Sequence, residues 1–178
     1  MVIILDGAKR RKSKQLINMK YPINTSLINK KLEFYEEVVT QKTKAESYLQ
    51  SFDWCGAIID SELYSNLGKI LCIFLFEIIN NQRKEDNYVW VVVGDVPSMY
   101  LDIYGPKSTH EVLENYVSLS RDWIYGVENN LNMTDFYPFK EPKSLELARM
   151  LRSRTDRIEN SVIPNIEDVS LPEPLSSL

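Results

Sequence analysis

Two long apolar runs, separated by a polar loop, constrain the fold of this sequence more than any other feature. They span residues 70–79 (ILCIFLFEII) and 89–93 (VWVVV), and the loop covers residues 80–87. β-Branched and aromatic residues dominate both runs, which is typical of strands, and the loop suits a long hairpin. Neither run alternates apolar with polar residues, so both faces of these strands are expected to be covered. The runs therefore predict the centre of a sheet.

The segments around this hairpin predict the rest of the fold. Two more strands are expected over residues 57–64 and 99–104, joined by turns too short for crossover helices. Helical periodicity and capping patterns predict two helices before the strands, at about 24–39 and 43–52, and two after them, at about 108–128 and 143–160. We therefore expect an α+β fold in the order α-α-β-β-β-β-α-α, a four-stranded antiparallel meander sheet packed by helices. If the two helix pairs cover opposite faces of the sheet, the apolar strands are explained. If both pairs cover one face, the other face should be buried in an oligomer.

Length and charge predict the domain organisation. A chain of 178 residues is expected to form one domain. Residues 1–22 are predicted to be a basic extension, containing KRRKSK at 9–14, and residues 23–163 the α+β domain. Residues 164–178 are predicted to be an acidic, proline-containing tail. The net charge of −4 therefore hides a basic amino-terminal end and an acidic carboxyl-terminal end.

Several classes of protein are not indicated by the sequence. No apolar run approaches the roughly 20 residues needed to cross a bilayer, and no secretory signal pattern is present. The two cysteines, Cys55 and Cys72, are expected to be reduced thiols in or near the core. These observations predict a cytoplasmic protein without a membrane partner.

The reactive side chains are sparse. His110 is the sole histidine, no basic group adjoins Cys55 in sequence, and no glycine-rich phosphate loop is present. We therefore predict no catalytic residue, no metal site and no cofactor. Asp60 and Glu62 share one face of a predicted strand and Asp95 ends another, which keeps a carboxylate-based hydrolase as the least favoured hypothesis.

The basic run at residues 9–14 could contact phosphates of a nucleic acid, with strongly salt-dependent affinity. The rest of the chain is acidic, however, and no base-reading module is visible. The sequence as a whole argues against nucleic acid as the partner.

Four short motifs give the sequence a resemblance. Trp54-Cys55, FLF at 74–76, WVVVGDVPSMY at 90–100 and a helix with Tyr116, Val117 and Trp123 together resemble a family of small bacterial proteins of unknown function. The resemblance covers roughly residues 43–155 and implies a fold rather than an activity. Small acidic α+β proteins of this kind are often similar to cytoplasmic immunity proteins, which neutralise a toxin by binding it.

These observations favour a non-enzymatic protein-binding protein, of the immunity or antitoxin type, whose partner is a cognate protein toxin. Charge would speed the encounter of an acidic face with a basic toxin site. The predicted partner-binding residues are exclusively acidic: Asp60, Glu62, Asp102, Glu167, Asp168 and Glu173. The alternative is a homodimeric structural or regulatory module that buries a sheet face or edge on its twin.

Overall fold

The computed structural model describes residues 19–178, so residues 1–18 of the predicted basic extension lie outside the described part of the chain. The described residues form one antiparallel sheet of five strands in the order β1-β2-β3-β4-β5, with three α-helices. The strands are β1 (Ile23–Asn24), β2 (Cys55–Asn66), β3 (Leu71–Asn80), β4 (Tyr88–Gly94) and β5 (Val96–Asp102). The helices are α1 (Tyr35–Gln50), α2 (Thr109–Glu128) and α3 (Leu145–Arg157), the last continued by a π-helical turn at Ile158–Val162.

Helices cover both faces of the sheet, which explains why the central strands are apolar throughout. α1 packs on one face, and α2 and α3 pack on the other, so alternate residues of β3 and β4 enter two separate cores. The α1 core includes Val38, Leu49, Phe74, Phe76 and Val91. The core under α2 and α3 includes Ile73, Trp90, Leu113, Tyr116 and Leu151. The predicted α+β class and the predicted antiparallel meander of the central strands are confirmed.

The prediction of four strands is wrong, because a fifth strand precedes α1. β1 has only two residues, and it pairs with β2 through Ile23 opposite Leu63 and Asn24 opposite Glu62. The side chain of Ile23 is buried in the α1 core, which fixes this short strand in place. Two residues are too few to show an alternating pattern, so no strand could be predicted here.

The predicted pair of amino-terminal helices is also wrong, and the observed order is β-α-β-β-β-β-α-α. Residues 25–27 form only a 3₁₀ turn, and Phe34 has a left-handed backbone (φ 56°) immediately before α1. α1 then runs without a break through Thr43, which had suggested the start of a second helix. The Thr43 hydroxyl instead donates to the Val39 carbonyl one turn earlier, as a threonine inside a helix can.

β5 forms one edge of the sheet, and side chains from other elements occupy its backbone groups. The Tyr137 hydroxyl accepts from the Tyr100 N–H at 2.9 Å and donates to the Tyr100 carbonyl at 3.1 Å. The Tyr116 hydroxyl donates to the Pro97 carbonyl at 2.7 Å. Unpaired strand edges invite pairing with other chains, and these contacts occupy three backbone groups of β5 that such a chain could bind.

The carboxyl-terminal residues pack onto the amino-terminal end of α2. Val169 and Leu171 are buried in the core under α2 and α3, and Ser170 forms an isolated antiparallel bridge with Ser108. Backbone bonds from Thr109 N–H to the Val169 carbonyl and from Leu171 N–H to the Lys107 carbonyl hold this segment. The acidic tail therefore contributes apolar side chains to the main core.

Candidate functional site: an acidic sheet end and a neighbouring aromatic cleft

The candidate site lies at the end of the sheet where β2 and β4 begin and β3 ends. Asp60 of β2 is directly opposite Glu77 of β3, and Glu77 is directly opposite Tyr88 of β4. Opposed residues share one face of a sheet, and Glu62, two residues beyond Asp60, lies on that face as well. Three carboxylates of adjacent strands are thereby held on one surface.

Exposed aliphatic side chains stand beside these acids. Ile59 and Ile79 are 56% and 52% exposed, although both belong to strands. Together with Glu77 they line an open cleft of about 420 Å³, which Lys84 and Asn87 of the hairpin loop also border. We call the set Ile59, Asp60, Glu62, Glu77 and Ile79 the acidic sheet end.

The carboxylates of the acidic sheet end have few compensating partners among residues 19–178. Asp60 accepts from the side-chain amide of Asn24 at 2.8 Å and from the Ser61 N–H at 2.8 Å. The pKa of Glu62 is raised above its ordinary value, by burial first and then by the charge of Asp60. Burial, followed by the charges of Glu77, Glu62 and Asp60, also raises the pKa of Tyr88. Burial and the neighbouring negative charges therefore oppose the ionisation of Glu62 and Tyr88.

A second cleft opens on the opposite face of the same sheet end. Asp102 lies opposite Val89, whose side chain enters the α1 core, so Asp102 points to the α1 side of the sheet. The cleft has a volume of about 240 Å³ and is bordered by aromatic residues, acids and one arginine, among them Trp54, Arg83, Asp86, Tyr100 and Asp102. We call it the Trp54 cleft.

The walls of the Trp54 cleft are partly aromatic. The rings of Trp54 and Tyr100 have centroids 4.9 Å apart, and Phe52 stacks on Trp54 at 5.2 Å. The Lys140 ammonium lies 4.1 Å from the Phe52 ring centroid, which is a cation–π contact. The aromatic cluster thus already accommodates one cation.

The acids of the Trp54 cleft are only partly engaged. Asp102 accepts from the N–H groups of Tyr104 and Gly105 through Oδ1, and no partner for Oδ2 occurs within residues 19–178. Asp86 accepts from the Tyr104 hydroxyl at 2.9 Å and lies 3.7 Å from the Arg83 guanidinium. Carboxylate oxygens therefore border the cleft.

The remaining predicted partner-binding residues lie in the tail. Asp168 accepts from the His110 N–H at 3.0 Å and from the Thr109 hydroxyl at 3.4 Å, at the amino-terminal end of α2. Burial opposes ionisation of Asp168, but these bonds and the His110 ring hold its pKa below its ordinary value. Glu167 is exposed, and Glu173 accepts from the Ser176 hydroxyl.

The structure thus divides the six predicted acids among three places. Asp60 and Glu62 share the acidic sheet end, Asp102 borders the Trp54 cleft, and the other three belong to the tail. Sequence reasoning missed Glu77, Ile59 and Ile79. A signal for Glu77 was present, since it is the only charged residue in the run 70–79. Glu77 lies where one face of β3 becomes exposed, since Ile79, two residues further on, is 52% exposed.

The other reactive side chains are buried in the fold or contact neighbouring residues. His110 is half-buried, with Nε2 3.1 Å from the Ile166 carbonyl and Nδ1 3.9 Å from Asp168. Both cysteines are free and buried, and burial raises the pKa of the Cys72 thiol to about 12. Asp95 pairs with Arg154 at 2.9 Å.

Residues 19–178 contain neither a cluster of metal ligands nor a membrane-spanning helix. Within residues 19–178, no group of three or more His, Cys, Asp or Glu side chains is arranged to hold a metal ion. No helix in that range is long and apolar enough to span a membrane.

Comparison with known proteins adds no relative. No family model matches the sequence, and neither the curated proteins nor the solved structures contain a match. The resemblance to a small bacterial family stays a prediction.

Proposed function

We propose that this chain is a non-enzymatic protein-binding protein of the immunity or antitoxin type, which neutralises a basic protein toxin by direct binding in the cytoplasm. The observation that supports it most is the acidic sheet end, where exposed Ile59 and Ile79 stand beside three carboxylates. An apolar centre with a polar rim is the usual composition of a protein interface.

The charges define the chemistry of the partner. Asp60 and Glu77 are opposed on neighbouring strands, and like charges in that position destabilise a sheet. Lysine or arginine side chains of a partner would relieve this repulsion and favour the ionised form of Glu62. A basic surface is therefore the complement of this site.

The six predicted acids are expected to contribute unequally to partner binding. Asp60 and Glu62 are the central contacts, joined by Glu77, and Asp102 adds a contact on the other face of the sheet. In the tail, Glu167 and Glu173 remain peripheral contacts, whereas Asp168 is occupied by α2 and contributes least.

The first experiment co-expresses this chain with the product of the adjacent gene and scores growth and co-purification. We expect a stable complex and rescue of growth. Absence of both a complex and rescue would contradict the proposal.

Charge variants then test the site. The variant Asp60→Asn, Glu62→Gln, Glu77→Gln should weaken the complex about tenfold and reduce its salt dependence, because charge–charge attraction is screened by salt. The control removes three exposed acids elsewhere, Glu114→Gln, Asp122→Asn and Asp135→Asn, with the same change in net charge. Equal losses in both variants would show that only net charge matters.

The homodimer alternative is tested by light scattering after size exclusion. We expect a monomer that becomes a complex with the partner. A stable dimer disrupted by Ile79→Ser would favour the homodimeric module instead.

A further inference from the structure

We infer that the Trp54 cleft receives a single arginine side chain from the basic partner, so that the partner contacts both faces of this sheet end. The inference rests on the proposed function for the source of that side chain. Its own support is the shape, the aromatic walls and the charges of the cleft.

The size of the cleft fits a side chain. Its volume of about 240 Å³ is below the roughly 300–1,000 Å³ that is usual for pockets that hold drug-sized ligands. A side chain that extends from a protein surface needs only such a recess. The occupant is therefore expected to be a residue of a larger partner and not a free metabolite.

The walls favour a planar cation. Trp54 is half-buried with Phe52 stacked against it and Tyr100 inclined to it, so its ring is held in a fixed orientation. Guanidinium groups stack on aromatic rings, and tryptophan is the strongest acceptor of cation–π contacts. Lys140 already uses the neighbouring Phe52 ring in this way.

The carboxylates at the cleft supply the counter-charge. Oδ2 of Asp102 is without a partner among residues 19–178, and the fork of a guanidinium matches a carboxylate. Arg83 is the internal competitor, since it borders the same cleft and lies 3.7 Å from Asp86. Its side chain is 75% exposed, so a partner arginine can displace it at little cost.

Trp54 can itself report the binding of a ligand in the cleft. It has three tryptophans, of which Trp90 and Trp123 are buried and only Trp54 borders the cleft. Titration with N-acetyl-arginine methylamide, followed through the indole N–H signals by NMR, should shift the Trp54 signal saturably and leave the other two unchanged. The citrulline analogue, which is neutral but similar in shape, should shift it weakly.

Two variants sharpen the titration in opposite directions. Asp102→Asn keeps an acceptor for the turn but removes the charge, and should weaken binding of the arginine probe about tenfold. Arg83→Gln removes the competitor and should strengthen it. Equal binding of both probes, or no shift of the Trp54 signal, would overturn the inference.

A paired variant separates this inference from the proposed function. If the partner complex forms and Trp54→Leu with Asp102→Asn leaves its affinity unchanged, the cleft inference fails while the function stands. If no partner complex forms but Trp54 binds the arginine probe selectively, the function fails while the cation selectivity of the cleft stands. We expect instead a complex weakened at least tenfold by the paired variant, as for a central interface residue.

Discussion

The carboxyl-terminal tail and the acidic sheet end contain the same kinds of residue in opposite circumstances. The tail buries Val169 and Leu171 at 7% and 4% exposure, whereas the sheet end exposes Ile59 and Ile79. Asp168 in the tail meets N–H and hydroxyl donors and has a lowered pKa, whereas burial, and then the charge of Asp60, raises the pKa of Glu62 at the sheet end. Acidic and aliphatic residues therefore stabilise the fold in the tail, whereas at the sheet end the aliphatic side chains are exposed and Glu62 lies near a like charge.

The largest expected difference between the two regions concerns their aliphatic side chains. Leu171→Ala should lower the free energy of unfolding by about 2–4 kcal/mol, because it leaves a cavity in the core. Ile79→Ala, the matched truncation at the exposed site, should change it by less than about 0.5 kcal/mol. Urea denaturation of both variants measures the contrast. Similar losses would show that the tail is not part of the stable core.

The next effect concerns Asp168. Asp168→Ala should lower the free energy of unfolding by about 1 kcal/mol, since it removes an acceptor and a negative charge at a helix amino terminus. A lowered pKa means that this stabilisation is present above the ordinary aspartate pKa and is lost as the pH falls through the lowered one. The thermal midpoints of variant and wild type should therefore converge in acid. The neighbouring Glu167→Ala is the control, and a constant gap at all pH values would contradict the assignment.

A smaller effect of opposite sign is expected at the acidic sheet end. Glu77→Gln should raise the free energy of unfolding by some tenths of a kcal/mol, up to about 1, because it removes a like-charge pair with Asp60. Chemical denaturation at low salt measures it, and added salt should reduce the gain. Glu85→Gln in the exposed hairpin loop is the control. A loss of stability would mean that Glu77 has a stabilising partner.

The smallest expected effect is a change in how strongly the free energy of unfolding depends on pH. The raised pKa of Glu62 means that the folded protein holds this proton more tightly than the unfolded chain, so stability falls as the pH rises from the ordinary glutamate pKa through the raised one. Glu62→Gln should flatten that part of the stability profile, and it should be more stable than wild type above that window. An unchanged slope in thermal scans across acidic pH would refute the raised pKa of Glu62.

Features of the fold that depend on neighbouring residues could be predicted from the sequence. Features that depend on contacts between distant residues could not. The apolar runs at 70–79 and 89–93 predicted covered central strands, and Ser108 with Glu111 predicted the start of α2, where the Ser108 hydroxyl accepts from the Glu111 N–H. β1 was missed because two residues carry no period, and Thr43 suggested a helix start because a cap and an internal threonine look alike in sequence.

The candidate site shows the same limit. Asp60 and Glu62 were predicted from their spacing on one strand, but Glu77 joins them only through the register of β2 with β3. Asp168 was grouped with the partner-binding acids because no local pattern ties residue 168 to a helix that begins at residue 109. Both contacts join residues that are distant in sequence, and they form only when the chain folds.

The hydroxyl of Tyr137 has a consequence for assembly. By bonding both to the N–H and to the carbonyl of Tyr100, it occupies the positions that a docking strand from another molecule would need. A strand that paired with β5 at this residue would first have to displace the Tyr137 hydroxyl. The Tyr137 hydroxyl thus protects one position on the edge of an apolar sheet from pairing with another chain.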